Sequence, residues 1–472
     1  MMVTGGWRLM TIRKEMLMHT EIDPNVRKMV TIILLVSTFI SLMSQTMMIT
    51  ALPVIQHDVH RSLNTVQWLT TGYTLMIGVI TPLSSNLYEC FTNRQVFLGT
   101  LGTFIAGTLL GCVATSFGML LAARLIQACA GGMLMSFQMT TMISIYPPEK
   151  RGSILGLSSL VIAAGPAIGP STAGLILHFL NWHYLFILVL PFMVLACVLG
   201  YFMLPNYSTP HPIHIDFFSV VISLIGSALT LGSLTTFTVN SALGWAMLIS
   251  GLVILTLFVR RQLRLTNPVL KVKIMTYPSF CLMTIVGILA FMVLLSTEQL
   301  LPIYAENVRH TGSFISGMIL LPGAICNAIT AFFAGKLYDQ YGPKWLITTG
   351  GLLILLASIP LVTISTRSSL LTLTLAYTVR MIGNALVFSP ALSEAFRALS
   401  KRENSHGSAL NNTLRQSFGA VAVTMCVVIA DIPASLVAGI KLAMWVTVLL
   451  AVLMLLVFWS YLAYQKRQAT TL

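Results

Sequence analysis

Long apolar runs, separated by short polar stretches, recur along this chain almost from end to end. A helix needs about 20 mostly apolar residues to cross the hydrocarbon layer of a bilayer. Fourteen runs meet that requirement, at 29–54, 66–86, 96–114, 117–145, 152–178, 182–204, 217–236, 242–259, 277–302, 314–335, 345–364, 369–395, 406–430 and 438–464. The pattern predicts an all-α polytopic membrane protein with fourteen transmembrane helices. The first 26 residues mix Arg, Lys, Glu and Asp and lack an apolar core of signal-peptide type, so 1–28 reads as a cytoplasmic tail. Residues 465–472 form a second, shorter tail.

Composition agrees: of 472 residues 56% are hydrophobic and 8% charged, against about 25% charged in ordinary soluble domains. Cytoplasmic loops retain Lys and Arg, which makes the distribution of those residues a test of topology. With both termini inside, twenty fall in cytoplasmic tails and loops and four in outer loops (Arg61, Arg309, Arg367 and Lys441). The remaining three, Arg124, Arg380 and Arg415, lie within helices. Topology thus accounts for the net charge of +14, and nucleic acid is not implied. Trp68, Trp182, Trp245, Trp345, Trp445 and Trp459 fall near helix ends, as interface anchors do. The seven cysteines are scattered with neither disulfide nor metal spacing, and the histidines, near ends and loops, suggest no metal site. No nucleophile triad or paired carboxylates indicate an enzyme.

An internal repeat organises the runs. LYECFTNR at 87–94 and LYDQYGPK at 337–344 each leave the second helix of a six-helix group and enter the third, and Arg124 and Arg380 each sit in the fourth. The chain therefore divides into halves at 29–204 and 277–464, with linkers and an extra helix pair at 205–276.

In order and at matching helices, further segments carry a resemblance. GKLYDQYGPK at 335–344 is similar to a loop motif, LAARLIQACAGG at 121–132 to a fourth-helix motif centred on Arg and Gln, and GPAIGPSTAG at 165–174 to a fifth-helix antiporter motif. LPIYAENV at 301–308 and SALNNTLRQSFG at 408–419 complete the set. The chain resembles the 14-helix drug:proton antiporters of the major facilitator superfamily over nearly its whole length. The resemblance implies a multi-pass protein of the bacterial cell membrane, monomeric and in contact with membrane lipids. It implies export of small amphipathic substrates by alternating access in exchange for protons, with the proton-motive force in place of a cofactor. Organic anions or lipid-like amphiphiles are an alternative cargo; a nontransporting receptor or scaffold is the alternative of another class.

Each candidate residue has a functional and a plainer reading. Gly152, Gly165, Gly169 and Gly174 would let a neighbouring helix approach closely while Pro166 and Pro170 bend the seam; a generic kinked packing helix explains them equally. Arg124, with Gln127 one turn away, is a candidate for proton coupling or substrate contact, as are Arg380 and Arg415; snorkelling is the plainer account. The family's helix-one Asp is replaced by Ser44 in SQTMMITALP at 44–53, which leaves Glu298 as the candidate proton carrier or else a solvated interfacial acid. Glu89 with Arg94, and Asp339 with Lys344 between Gly335 and Gly342, read as cytoplasmic latches or as solvated loop charges. Met47, Met48, Met135 and Met139 read as adaptable cavity lining or as lipid-facing filler. Tags attached to the two chain ends should be protected by the same membrane face in a protease-accessibility assay; tags on opposite faces would overturn the topology.

Overall fold

The computed structural model describes residues 23–61, 63–66, 68–147, 150–206, 210, 216–237, 240–266, 268–311, 313–400, 403–433 and 435–470. Most of the expected N-terminal tail (1–22) and much of the linker near 210 lie outside the described residues. Fourteen long helices are present among the described residues: α1 (Pro24–Asp58), α2 (Trp68–Cys90), α3 (Asn93–Cys112), α4 (Phe117–Ile145), α5 (Arg151–Phe179), α6 (His183–Met203), α7 (Phe217–Thr236), α8 (Ser241–Arg264), α9 (Pro278–Asn307), α10 (Ser313–Tyr341), α11 (Pro343–Val362), α12 (Leu370–Arg397), α13 (Asn404–Asp431) and α14 (Leu436–Thr470). Among the described residues, twelve of them are long and apolar enough to cross a membrane, and α7 contributes a shorter apolar stretch, Phe218–Thr230. α2 is set apart by its polar Thr81, Ser84 and Asn86, which are buried inside the protein.

Local chemistry sets the helix ends. Asp23 accepts from the Asn25 backbone and starts α1 several residues before the apolar run. Thr92 and Gln95 form a capping box that separates α3 from α2. Gly342 adopts φ 71°, a left-handed conformation that favours glycine, and lets the chain turn from α10 into α11 at Pro343. At the other end of the chain, helix continues past the apolar run to Thr470, so the expected C-terminal tail is largely helical. Lys466 and Arg467 suit the negative end of that helix.

Two apolar cores organise the packing. One joins α1–α6 through residues such as Leu34, Phe97, Phe104, Phe137 and Phe186. The second joins α9 and α11–α14 through Phe280, Val293, Ile354, Phe396 and Phe458, and also takes in Met139 and Ile143 of α4 and Phe258 of α8. Between the two groups, α5 packs on α10 and α2 on α13. The α7–α8 hairpin packs on itself, and α7 leans against both α2 and α13 beside that seam.

Several helix ends meet on one face. Thr31 of α1 lies 3.0 Å from the Tyr146 hydroxyl at the α4–α5 turn. The start of α5 meets the end of α10 through Asp339, and the end of α10 meets α12 and α14 where Tyr338 and Tyr461 both donate to Glu394. This is the terminal face.

α5 runs unbroken through Pro166 and Pro170, and its glycines serve two neighbours rather than one. A Cβ on Gly156 would stand 2.7 Å from the Ala331 carbonyl oxygen of α10, and one on Gly165 would stand 2.7 Å from Leu42 Cβ of α1. Gly169 is equally tight against Thr46 and the Met43 carbonyl of α1. Gly174 does not belong to either seam: a Cβ there meets nothing within 4 Å. Trp182 is not an interface anchor. It is buried, and its indole donates to Asp58 at 3.0 Å instead of anchoring in lipid. Gly165→Leu should overpack the α1–α5 contact, costing about 1–3 kcal/mol or more, with a lower melting temperature and lost transport but normal insertion. Gly174→Leu should change neither melting nor transport measurably.

Candidate functional site

Taking a guanidinium out of water into a membrane interior costs about 3 kcal/mol on insertion scales, so its surroundings must compensate. Arg124 is fully buried in α4. It donates to Gln127 at 2.9 Å, to the Ser44 hydroxyl and carbonyl at 3.4 Å and to the Gln45 carbonyl at 3.5 Å. The Tyr73 ring lies 4.1 Å from its Cζ. Gln127 in turn donates to Thr108 at 2.8 Å. The expected Arg–Gln pairing is therefore real, and neutral oxygens from α1 take the place of a helix-one carboxylate. Arg380 of α12 is treated similarly, donating to Ser358 at 3.1 Å and Thr447 at 2.7 Å.

Arg415 of α13 is buried but less well served. Its Nη2 donates to Asn412 at 2.9 Å, and its Cζ lies 5.0 and 5.2 Å from the rings of Phe291 and Phe388. Its Nε and Nη1 have no hydrogen-bond partner. Glu298 of α9 takes a hydrogen bond from Tyr377 at 3.3 Å, an α12 hydroxyl one turn from Arg380.

The methionines separate into two places. Met135 and Met139 of α4 face α13, where their sulfurs accept from Gln416 at 3.7 Å and Asn412 at 3.9 Å. Ser408 and Asn412 reach Ser136 beside them. Met47 and Met48 instead lie in the core of the first helix group and line a small pocket with Ser44, Leu185 and Phe186. Their shared position with Met135 and Met139 in one cavity is therefore not observed.

Both latch acids act across the seam, with partners other than the expected ones. α5 has no side-chain cap of its own. Asp339 supplies one from α10, accepting from the backbone N–H of Gly152 and of Ser153, each at 3.0 Å, and from the Ser153 hydroxyl at 2.8 Å. A carboxylate here meets orphan donors and the positive end of the helix. Gly152 and Gly335 make this reach possible, because a Cβ on either would overlap the facing backbone. Lys344 is exposed, with its ammonium 5.6 Å from the Trp345 ring, and is not the partner of Asp339.

Glu89 of α2 likewise does not pair with Arg94. It takes His406 Nε2 of α13 at 2.8 Å and Lys271 at 3.7 Å. Arg94 donates to the Tyr201 carbonyl and packs over its ring, within the first helix group. His406 and Lys271 were not singled out by the sequence. Glu403, at the start of α13, has its carboxylate held below the ordinary range by the Ser400 hydroxyl, which donates at 2.6 Å, and also accepts from Tyr277 at 3.0 Å. A seam between two helix groups, held by separable polar contacts and bordered by the buried Arg415 and the thioethers of Met135 and Met139, suits a protein that binds a small molecule between halves.

Comparison with known proteins agrees with that geometry. The profile described as the Major Facilitator Superfamily matches residues 34–423. The chain is 36% identical over 418 residues to an uncharacterized MFS-type transporter, YcnB, of Bacillus subtilis, covering 87% of this chain and 88% of that one. It is 34% identical over 401 residues to the lincomycin resistance protein LmrB of Listeria monocytogenes, covering 84% of each. Among solved structures, the human organic anion transporter MFSD10 superimposes with a TM-score of 0.69 at 15% identity, covering 91% of this chain and 99% of that one. A membrane-spanning transporter and not an enzyme, the chain belongs to the Major Facilitator Superfamily.

Proposed function

We propose that this transporter exports small amphipathic, drug-like compounds from a bacterial cell by alternating access, in exchange for protons. The observation that carries this reading is the seam. Its cross-group hydrogen bonds run from Asp339 and Glu89 on the terminal face to Gln416 at mid-helix, and each can break and be replaced by water. The excess of Lys and Arg supports a cytoplasmic terminal face, with both termini inside. The conformation described is then the one closed to the cytoplasm, and opening requires the α5–α10 and α2–α13 contacts to part together. The names of the resistance proteins among its relatives support drug-like cargo.

In this reading all fourteen helices span the membrane, α7 and α8 forming a peripheral pair, and the two six-helix halves at 29–204 and 277–464 rock about the seam as a monomer surrounded by lipid. Met135 and Met139, with the aromatic rings near Arg415, form adaptable cavity lining. Glu298 carries the exchanged proton, Tyr377 donating to it when it is ionised, while Arg124 and Arg380 hold their helices in register. The proton-motive force supplies about 2.3 kcal/mol per charge per 100 mV, enough for more than tenfold accumulation without a cofactor.

Purified protein in lipid vesicles with an imposed pH gradient should move lipophilic probes against their own gradient; no flux of any probe would favour a receptor or scaffold. Glu298→Gln should abolish gradient-driven uptake while leaving probe binding, and unchanged uptake would remove Glu298 from the proton path. Asp339→Asn should weaken the cap by about 1 kcal/mol, an approximately fivefold shift toward opening on the terminal face. Spin labels at the exposed positions Lys150 and Lys336 should report that shift as a larger population at long distance.

A further inference from the structure

The three buried arginines differ in what their nitrogens touch, and that difference has a functional reading. Arg124 and Arg380 use both terminal nitrogens on protein oxygens. Nε is without a hydrogen-bond partner in all three, but Arg415 uses only one terminal nitrogen, and its Nη1 also remains without a partner among the described residues, in a side chain only 1% exposed. Among the described residues no carboxylate stands within ion-pair distance of it. The rings of Phe291 and Phe388 lie against it with their centroids 6.4 Å apart, so they flank the guanidinium together instead of enclosing it from opposite sides.

Its place along α13 completes the picture. Ser408, Asn412, Arg415 and Gln416 recur at helical spacing and share a face of α13. The same face meets Ser136, Met135 and Met139 of the first helix group. Arg415 thus lies where that group borders α9 and α12, beside flexible thioethers and aromatic rings.

We infer that Arg415 is the docking point for the acidic group of the cargo, and that the cargo class is an amphipathic organic acid: a carboxylate on an aromatic or otherwise apolar body. The carboxylate takes Nη1, the terminal nitrogen left without a partner, and supplies the counter-charge that no described residue provides there. Phe291, Phe388, Met135 and Met139 receive the apolar body. Asn412 holds the guanidinium in place from Nη2, leaving Nη1 for ligand. This assignment rests on the export reading above and narrows its substrate class.

The test uses the full chain in nanodiscs of phosphatidylcholine alone, so that no anionic lipid headgroup competes, with pyrenebutyrate and its methyl ester as fluorescent probes. The acid should bind the native protein about tenfold or more tightly than the ester, and Arg415→Gln should bring the two within about threefold. Equal binding of acid and ester to the native protein would overturn the inference, as would an undiminished acid preference in Arg415→Gln. Should the Gln variant not be recovered folded, Arg415→Lys, which retains the charge, should keep a reduced preference for the acid; a preference equal to the native one would count against the inference. Proton-driven flux without acid preference leaves the export reading standing and removes this one. Acid-selective binding that Arg415→Gln abolishes, without any flux, does the reverse.

Discussion

The approach of two backbones at the start of α5 governs how the helix groups meet. Gly152, Gly156 and Gly335 remove the side chains that would hold α5 and α10 apart, and only then can Asp339 reach the open N–H groups of Gly152 and Ser153. A helix that carries no cap of its own is thereby capped by the other half of the molecule. The contact is modest in energy, about 1 kcal/mol for a cap of this kind, which suits the part proposed for it, forming and breaking in each transport cycle. It also lies at a helix end, where water can satisfy the freed groups once it parts. The contacts of Gly165 and Gly169 with α1 are different: they lie deep in an apolar region within one helix group and have no such replacement.

Glu89 repeats the theme on the opposite flank, reaching His406 in the first turn of α13. The two acids occupy corresponding places in the repeat, and each crosses to the start of a helix in the other group. Lys271, from the segment leading into α9, joins the second contact. α7 leans on both helices of that flank, so the extra hairpin borders the seam between the groups.

The interior holds its cations largely without carboxylates. Ser44, Gln127 and backbone carbonyls surround Arg124, and two hydroxyls serve Arg380, so the absence of a helix-one acid is compensated by neutral oxygens. Neutral acceptors fix each guanidinium without cancelling its charge. The inner surface therefore remains electropositive, and Glu298 of α9 is joined to it through Tyr377, one turn from Arg380 on α12.

The sequence by itself determined what depends on near neighbours. Run length and hydropathy predicted the fourteen helices, because each helix satisfies its own backbone in lipid. The spacing of Arg124 and Gln127 predicted their hydrogen bond, since three residues along a helix share a face. Tertiary structure alone decided the long-range pairings. Asp339 meets Gly152 from 187 positions away and Glu89 meets His406 from 317, while nearby Lys344 and Arg94 point to other partners. It also separated Gly174 from the other glycines of α5, and Met47 and Met48 from Met135 and Met139. A composition pattern shows that a side chain is small or adaptable; which surface it meets depends on how the helices are placed around it.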